Sequence, residues 1–260
     1  MMHLISLLVD LVLAGYIGYE VVQFVPRYRK LKQEVANGDP QARGRVYRRA
    51  LVFEWISALL ALIALGFDWS KLNPKSLALE GASIVQKFSP PGGLDRSAML
   101  GVLCGLAIGT VIIIVARFRA NRRGVESARP TSPFRKLLPD FNALLPVTTR
   151  ERLVWAVVAI SAGICEEVVF RGWLLSTLHT ALGLDGTVLI AVAAVAFGLA
   201  HSYQKITGML LTGFLGAFFC VLYVKTGSLL VPILLHIFVD LCFAILPAPR
   251  RVAETQASFA

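Results

Sequence analysis

A chain of 260 residues that is 56% hydrophobic and only 16% charged does not have the make-up of a soluble domain, for which about 45–50% apolar and about 25% charged residues are usual. Its apolar residues fall in continuous runs of the length a bilayer requires, about 20 residues of helix, which excludes the alternating pattern of a barrel and indicates an all-α, polytopic membrane helical bundle. The net charge of +10 sits in discrete loops with no aromatic-interleaved motif beside it, which excludes nucleic acid as a partner.

In chain order the pattern predicts seven transmembrane helices, over 4–24, 50–67, 98–116, 152–180, 187–203, 207–224 and 228–246. The first follows only Met1, Met2 and His3, with no basic n-region and no small-residue cleavage site, and is expected to be a retained anchor. Between the first and second spans lie Arg27, Arg29, Lys30, Lys32, Arg43, Arg45, Arg48 and Arg49; between the third and fourth lie Arg117, Arg119, Arg122, Arg123, Arg129, Arg135, Lys136 and Arg150. Lys205, Arg250 and Arg251 fall on the same side. By the positive-inside rule this side faces the cytoplasm, the N-terminus lies outside and the C-terminus inside, in a plasma (inner) membrane whose anionic lipid heads the basic loops would touch.

The third span carries Gly101, Gly105 and Gly109, spaced to let another helix approach closely; Gly208, Gly213 and Gly216 repeat this more loosely in the sixth. The junction is basic and contains Pro130, Pro133, Pro139 and Pro146, and its "PFRKLLPDFNALLP" is suited to lying along the membrane interface. "TTRE" follows, with Thr148 and Glu151 at capping-box spacing, so the fourth helix should start near Thr149. The chain thus divides into N-terminal helices and basic loops (1–150), a helical core (151–246) and a cytoplasmic tail (247–260). Cys104, Cys165, Cys220 and Cys242 all fall inside spans without metal or disulfide spacing, as buried apolar residues do. Asp10, Glu20 and Glu54 are acids in or near spans: Glu20 can reach the interface, and Asp10 and Glu54 are expected to hydrogen-bond between helices.

The chemistry concentrates in the last four spans, where polar residues are functional candidates by default. In the fourth, Glu167 and Arg171 are four apart and share a face, which predicts an ion pair. Glu166 is turned by about 100° from Glu167 and by about 140° from Arg171, so it is left as an unpaired carboxyl, the form a general base takes. The "GLDG" at Gly183–Gly186 turns the chain back. Counting from that turn at 1.5 Å per residue, Glu166 lies about 26 Å in and His201 about 22 Å in along the antiparallel helix, while Asp240 lies about 20 Å from Gly227 with His236 one turn shallower. Phe197 shares a face with His201, and His236 with Asp240. Three helices therefore bring Glu166, His201, His236 and Asp240 to overlapping depths.

"EEVVFR" (Glu166–Arg171), "FGLAH" (Phe197–His201) and "HIFVD" (His236–Asp240), in this order, resemble the three motifs of the CPBP family of intramembrane proteases, which includes CAAX-processing endopeptidases of the Ras-converting type, bacteriocin-processing enzymes and Abi proteins. The likeness covers about 150–246. It implies an endopeptidase that cuts a membrane-anchored peptide or protein, with Glu166, aided by His201, activating a water and with His236 and residue 240 stabilising the oxyanion. Glu167, Arg171 and Phe197 would be supporting residues. The resemblance implies a route without a cofactor; Glu166 and the two histidines could also hold Zn²⁺ with an open water position. Asp240 stands where the Ras-converting members have Asn. An ionised Asp cannot donate to an oxyanion, so it must be protonated or must orient His236. Two other functions compete: a non-enzymatic immunity or scaffold protein of the same fold, against which the intact Glu166, His201 and His236 speak, and a transporter, for which an inverted repeat of broken helices is missing.

Overall fold

The computed structural model describes residues 2–77 and 139–245. Among these the chain is helical, without a strand. Helix α1 (Met2–Ala36) and helix α2 (Ala42–Ala64) form an antiparallel hairpin. Helix α3 (Thr149–Glu167) runs without a break through a π-helical stretch, Val168–Leu174, into α4 (Leu175–Leu182). Helices α5 (Gly186–Ala200), α6 (Lys205–Thr226) and α7 (Leu230–Ile245) complete the bundle.

The start of α3 is the one the sequence predicts. Thr148 Oγ1 accepts from the Glu151 N–H at 3.1 Å, and the Thr148 N–H donates to the Glu151 carboxylate at 2.9 Å. Glu151 also meets Arg43 of α2 at 3.3 Å, and Arg43 donates to the Ala143 carbonyl at 3.0 Å. This buried cation, 1% exposed, ties the α1–α2 hairpin to the entry of α3. The helices stop where the chain can reverse: Gly183 (φ +63°) and Gly227 (φ +67°) cap α4 and α6 in the left-handed region, which glycine enters without a Cβ clash.

Three helical stretches are long and apolar enough to cross a membrane: Leu7–Ala36, Thr149–Leu182 and Ser202–Thr226. Helices α5 and α7 are apolar but shorter, with apolar stretches at Gly186–Ala200 and Leu230–Cys242. The seven predicted spans thus reduce to three that meet this standard among the described residues. The third predicted span, with Gly101, Gly105, Gly109 and Cys104, lies outside them. The first is longer than predicted: α1 passes straight through Pro26 to Ala36. Apolar stripes at helical spacing stay uncovered, such as Leu153, Val157 and Ile160 on α3 and Val188, Val192, Val195 and Leu199 on α5. Faces of this kind suit lipid.

Two backbone crossings bring the motif helices together. A Cβ on Gly163 of α3 would run into Ile237 of α7, whose backbone nitrogen lies 2.9 Å away, and one on Gly198 of α5 would lie 2.6 Å from the Met209 carbonyl of α6, beside Gly213. Glycine at these points lets the helices touch backbone to backbone. The described end of the junction does not lie on the surface as expected. Phe141, Leu144 and Leu145 are buried in a cluster with Tyr28, Tyr47 and Trp155, because their apolar side chains find a hollow between the hairpin and α3.

Candidate functional site

The predicted pair forms: Arg171 Nη1 lies 2.9 Å from Glu167 Oε1, with both side chains buried. Arg171 also donates to the Gly216 carbonyl at 3.0 Å and lies on the rings of Phe197 and Phe219, 4.6 and 5.3 Å from their centroids. The pair falls at the entry to the π-helical stretch, a rare geometry that recurs at functional sites and that the regular α spacing did not anticipate.

Glu167 does more than pair with Arg171. Its Oε1 also accepts from His236 Nδ1 at 2.9 Å, a contact across 69 residues that fixes the imidazole of α7 to α3. The ring's Nε2 then faces two further carboxylates, Glu166 Oε2 and Asp240 Oδ2, each at 3.8 Å. These separations are too long for a hydrogen bond. They are short enough for one water to touch both the imidazole and Glu166 at about 2.8 Å. Glu166 Oε2 is buried with no hydrogen-bond partner, as its position relative to Arg171 predicts.

His201 lies one residue past the end of its helix, which the sequence carries on to 203. The α-helical geometry ends at Ala200, and His201 (φ −100°, ψ 23°) leads into a 3₁₀ turn, Ser202–Gln204. Its Nδ1 lies 2.9 Å from the Phe197 carbonyl. A carbonyl only accepts, so Nδ1 carries the hydrogen and, in the neutral ring, Nε2 is left as an acceptor. The Phe197 ring packs against His201 (4.8 Å between centroids) and His236 (6.1 Å), joining both imidazoles and Arg171 on one aromatic plate. Asp240 does not orient His236; Glu167 does, since Asp240 stays 3.8 Å from Nε2 while Glu167 holds Nδ1.

Glu166, His201, His236 and Asp240 all line one cavity of about 370 Å³. Most of its remaining wall is apolar or aromatic, including Phe24, Phe53, Phe141, Trp155 and Phe219. Glu20 also lines it, bound by Arg27 of α1 and by Arg49 of α2 (2.9 Å), two of the basic residues that the sequence places between spans and the structure places in helices. Among the lining residues that the sequence did not place in the site, two stand out. Tyr203 follows His201 in the 3₁₀ turn, and Glu54 of α2, 6% exposed, lies within electrostatic reach of Glu166, Asp240 and His236. An acid within an apolar helix is the signal that marks Glu54. Asp10 has a simpler role, accepting from Trp173 Nε1 at 2.7 Å. Among the described residues no three His, Cys, Asp or Glu side chains gather as a metal-binding group.

The fold and the cavity define a protein that is helical throughout its described elements, with helices fit to cross a membrane, and that encloses an acid–imidazole site. Residues 148–242 match the model of the Rce1-like family, described as type II CAAX prenyl endopeptidase Rce1-like. This is a protease family, and it is the CAAX-protease family that the three motifs resemble; the matched segment contains every motif residue from Glu166 to Asp240. No curated protein and no solved structure matches the chain.

Proposed function

We propose that the protein is an intramembrane endopeptidase that hydrolyses a peptide bond of a membrane-associated substrate through a water activated by Glu166. The observation that carries this is the unpartnered Glu166 carboxylate, 3.8 Å from His236 Nε2 inside the cavity. A water between them would give its proton to Glu166 and attack the carbonyl carbon. His201, with Nε2 free to accept, assists that transfer. When the His236 ring carries both protons, its Nε2–H is directed at the gap between Glu166 and Asp240 and can donate to the developing oxyanion. Asp240, if protonated, can add a second donor. The proton held by Glu166 then passes to the leaving amine, so the carboxylate is regenerated.

The cavity's apolar wall suits a lipid-bearing or membrane-anchored chain, and the Glu20–Arg49 pair in its lining fits access from the basic, cytoplasmic side. The substrate class this supports is a membrane-anchored peptide or protein, including a prenylated CAAX tail. The test compares membrane peptides in cells carrying the wild type and Glu166→Gln. A product that disappears in the variant, with expression unchanged, supports hydrolysis. A variant that keeps the protein's biological role without any lost product supports the scaffold function instead.

A further inference from the structure

The cavity holds more carboxyl groups than the proposed reaction uses. Glu20 is matched by Arg27 and Arg49, and Glu167 by Arg171. That leaves Glu54, Glu166 and Asp240 in the wall of the cavity that the buried imidazole of His236 also lines. The nearby described cations are committed elsewhere: Arg43 to Glu151 and the Ala143 carbonyl, Arg171 to Glu167 and the Gly216 carbonyl. Glu54 is the least explained of the three acids. It is 6% exposed, its Oε2 has no hydrogen-bond partner, and it comes from α2, outside the matched family segment.

A buried carboxyl without a partner costs roughly 1–3 kcal/mol or more, and none of the polar side chains in this mostly apolar wall bonds to Glu54 Oε2. A group that enters the cavity can satisfy it.

We propose that Glu54 is a cation subsite, which takes a positively charged group of the substrate (a Lys or Arg side chain, or a free amino terminus) lying beside the bond that Glu166 addresses. The inference rests on the protease function for the word substrate, but the binding it describes does not require turnover. A guanidinium or ammonium reaching Glu54 would replace water and gain a charge-assisted hydrogen bond. An acidic residue at that position finds no cation to pair with and gains nothing from Glu54.

The test uses the full chain with Glu166→Gln, so that no peptide is turned over, in phosphatidylcholine nanodiscs. The probes are palmitoylated peptides in which a single lysine is moved one position at a time, each matched by a norleucine peptide. Binding is read from the change in the protein's tryptophan fluorescence, Trp155 being the tryptophan that lines the cavity, with empty nanodiscs subtracted. In at least one register the lysine peptide should bind at least tenfold more tightly than its norleucine partner. That preference should vanish with Glu54→Gln and persist with Glu54→Asp. The proposal is overturned if no register prefers lysine, or if the preference survives Glu54→Gln. Should Glu54→Gln fail to fold, the lysine–norleucine comparison on protein that retains Glu54 decides alone. A failure of the wild type to cut any peptide counts against the protease function and leaves this comparison intact.

Discussion

Glu167→Gln tests the buried network on which the site stands. The substitution removes a charge that is 0% exposed and that accepts from two donors at 2.9 Å, Arg171 Nη1 and His236 Nδ1. Arg171, 1% exposed, is left with the Gly216 carbonyl and two ring faces. Breaking one side of a buried ion pair costs about 3–5 kcal/mol. The amide oxygen still accepts from one of the two donors, and a desolvated cation on a ring is worth about 2 kcal/mol, so the lower end, about 3 kcal/mol, is expected. Replacing both partners at once, with Glu167→Gln and Arg171→Met, removes the stranded charge. The double variant should then lose at least about 1 kcal/mol less than the sum of the singles, within the usual coupling range for contacting residues. Unfolding in mixed dodecyl maltoside–SDS micelles, followed by tryptophan fluorescence, measures both quantities. A Glu167→Gln protein within about 0.5 kcal/mol of wild type, or strict additivity in the cycle, would refute the network.

Three smaller predictions accompany it. Thr148→Ala removes the acceptor for the Glu151 N–H and should cost about 1 kcal/mol in the same assay. Gly163→Ala places a methyl against Ile237 and its backbone nitrogen; it should cost about 1–3 kcal/mol and reduce activity further than stability alone explains, because Ile237 adjoins His236. The hydrogen bond from Arg45, with that from the Gln41 N–H, holds the Asp39 carboxyl below its usual range. Its contribution is complete above the ordinary carboxylate range and is lost as pH falls through the lowered value, so Arg45→Met should raise the Asp39 midpoint seen by carboxyl carbon NMR.

What the sequence revealed of the site came from local rules. Capping-box spacing set the start of α3 at Thr149, an i to i+4 interval predicted the Glu167–Arg171 pair, and the glycine-flanked turn at Gly183–Gly186 reversed the chain. The expectation that Asp10 bonds between helices also holds, through Trp173. Long-range geometry was not legible. That Glu167 rather than Asp240 holds His236 depends on the crossing of α3 and α7 at Gly163, which no periodicity encodes. The π-helical stretch after Glu167 follows from tertiary packing, so counting α-helical residues could not anticipate it. Glu54 was visible as an anomalous acid, but its place in the cavity required the α1–α2 hairpin to be docked on α3. The continuation of α1 through Pro26 runs against proline's usual effect in a helix interior.

Hydrolysis by purified protein in lipid nanodiscs probes the role of Glu166 most directly, using the peptide that the cellular comparison identifies. The rate of Glu166→Gln should fall at least about 100-fold below wild type, the lower bound for a positioned acid–base group, while the peptide still binds. Equal rates for the two proteins would contradict a water activated at Glu166.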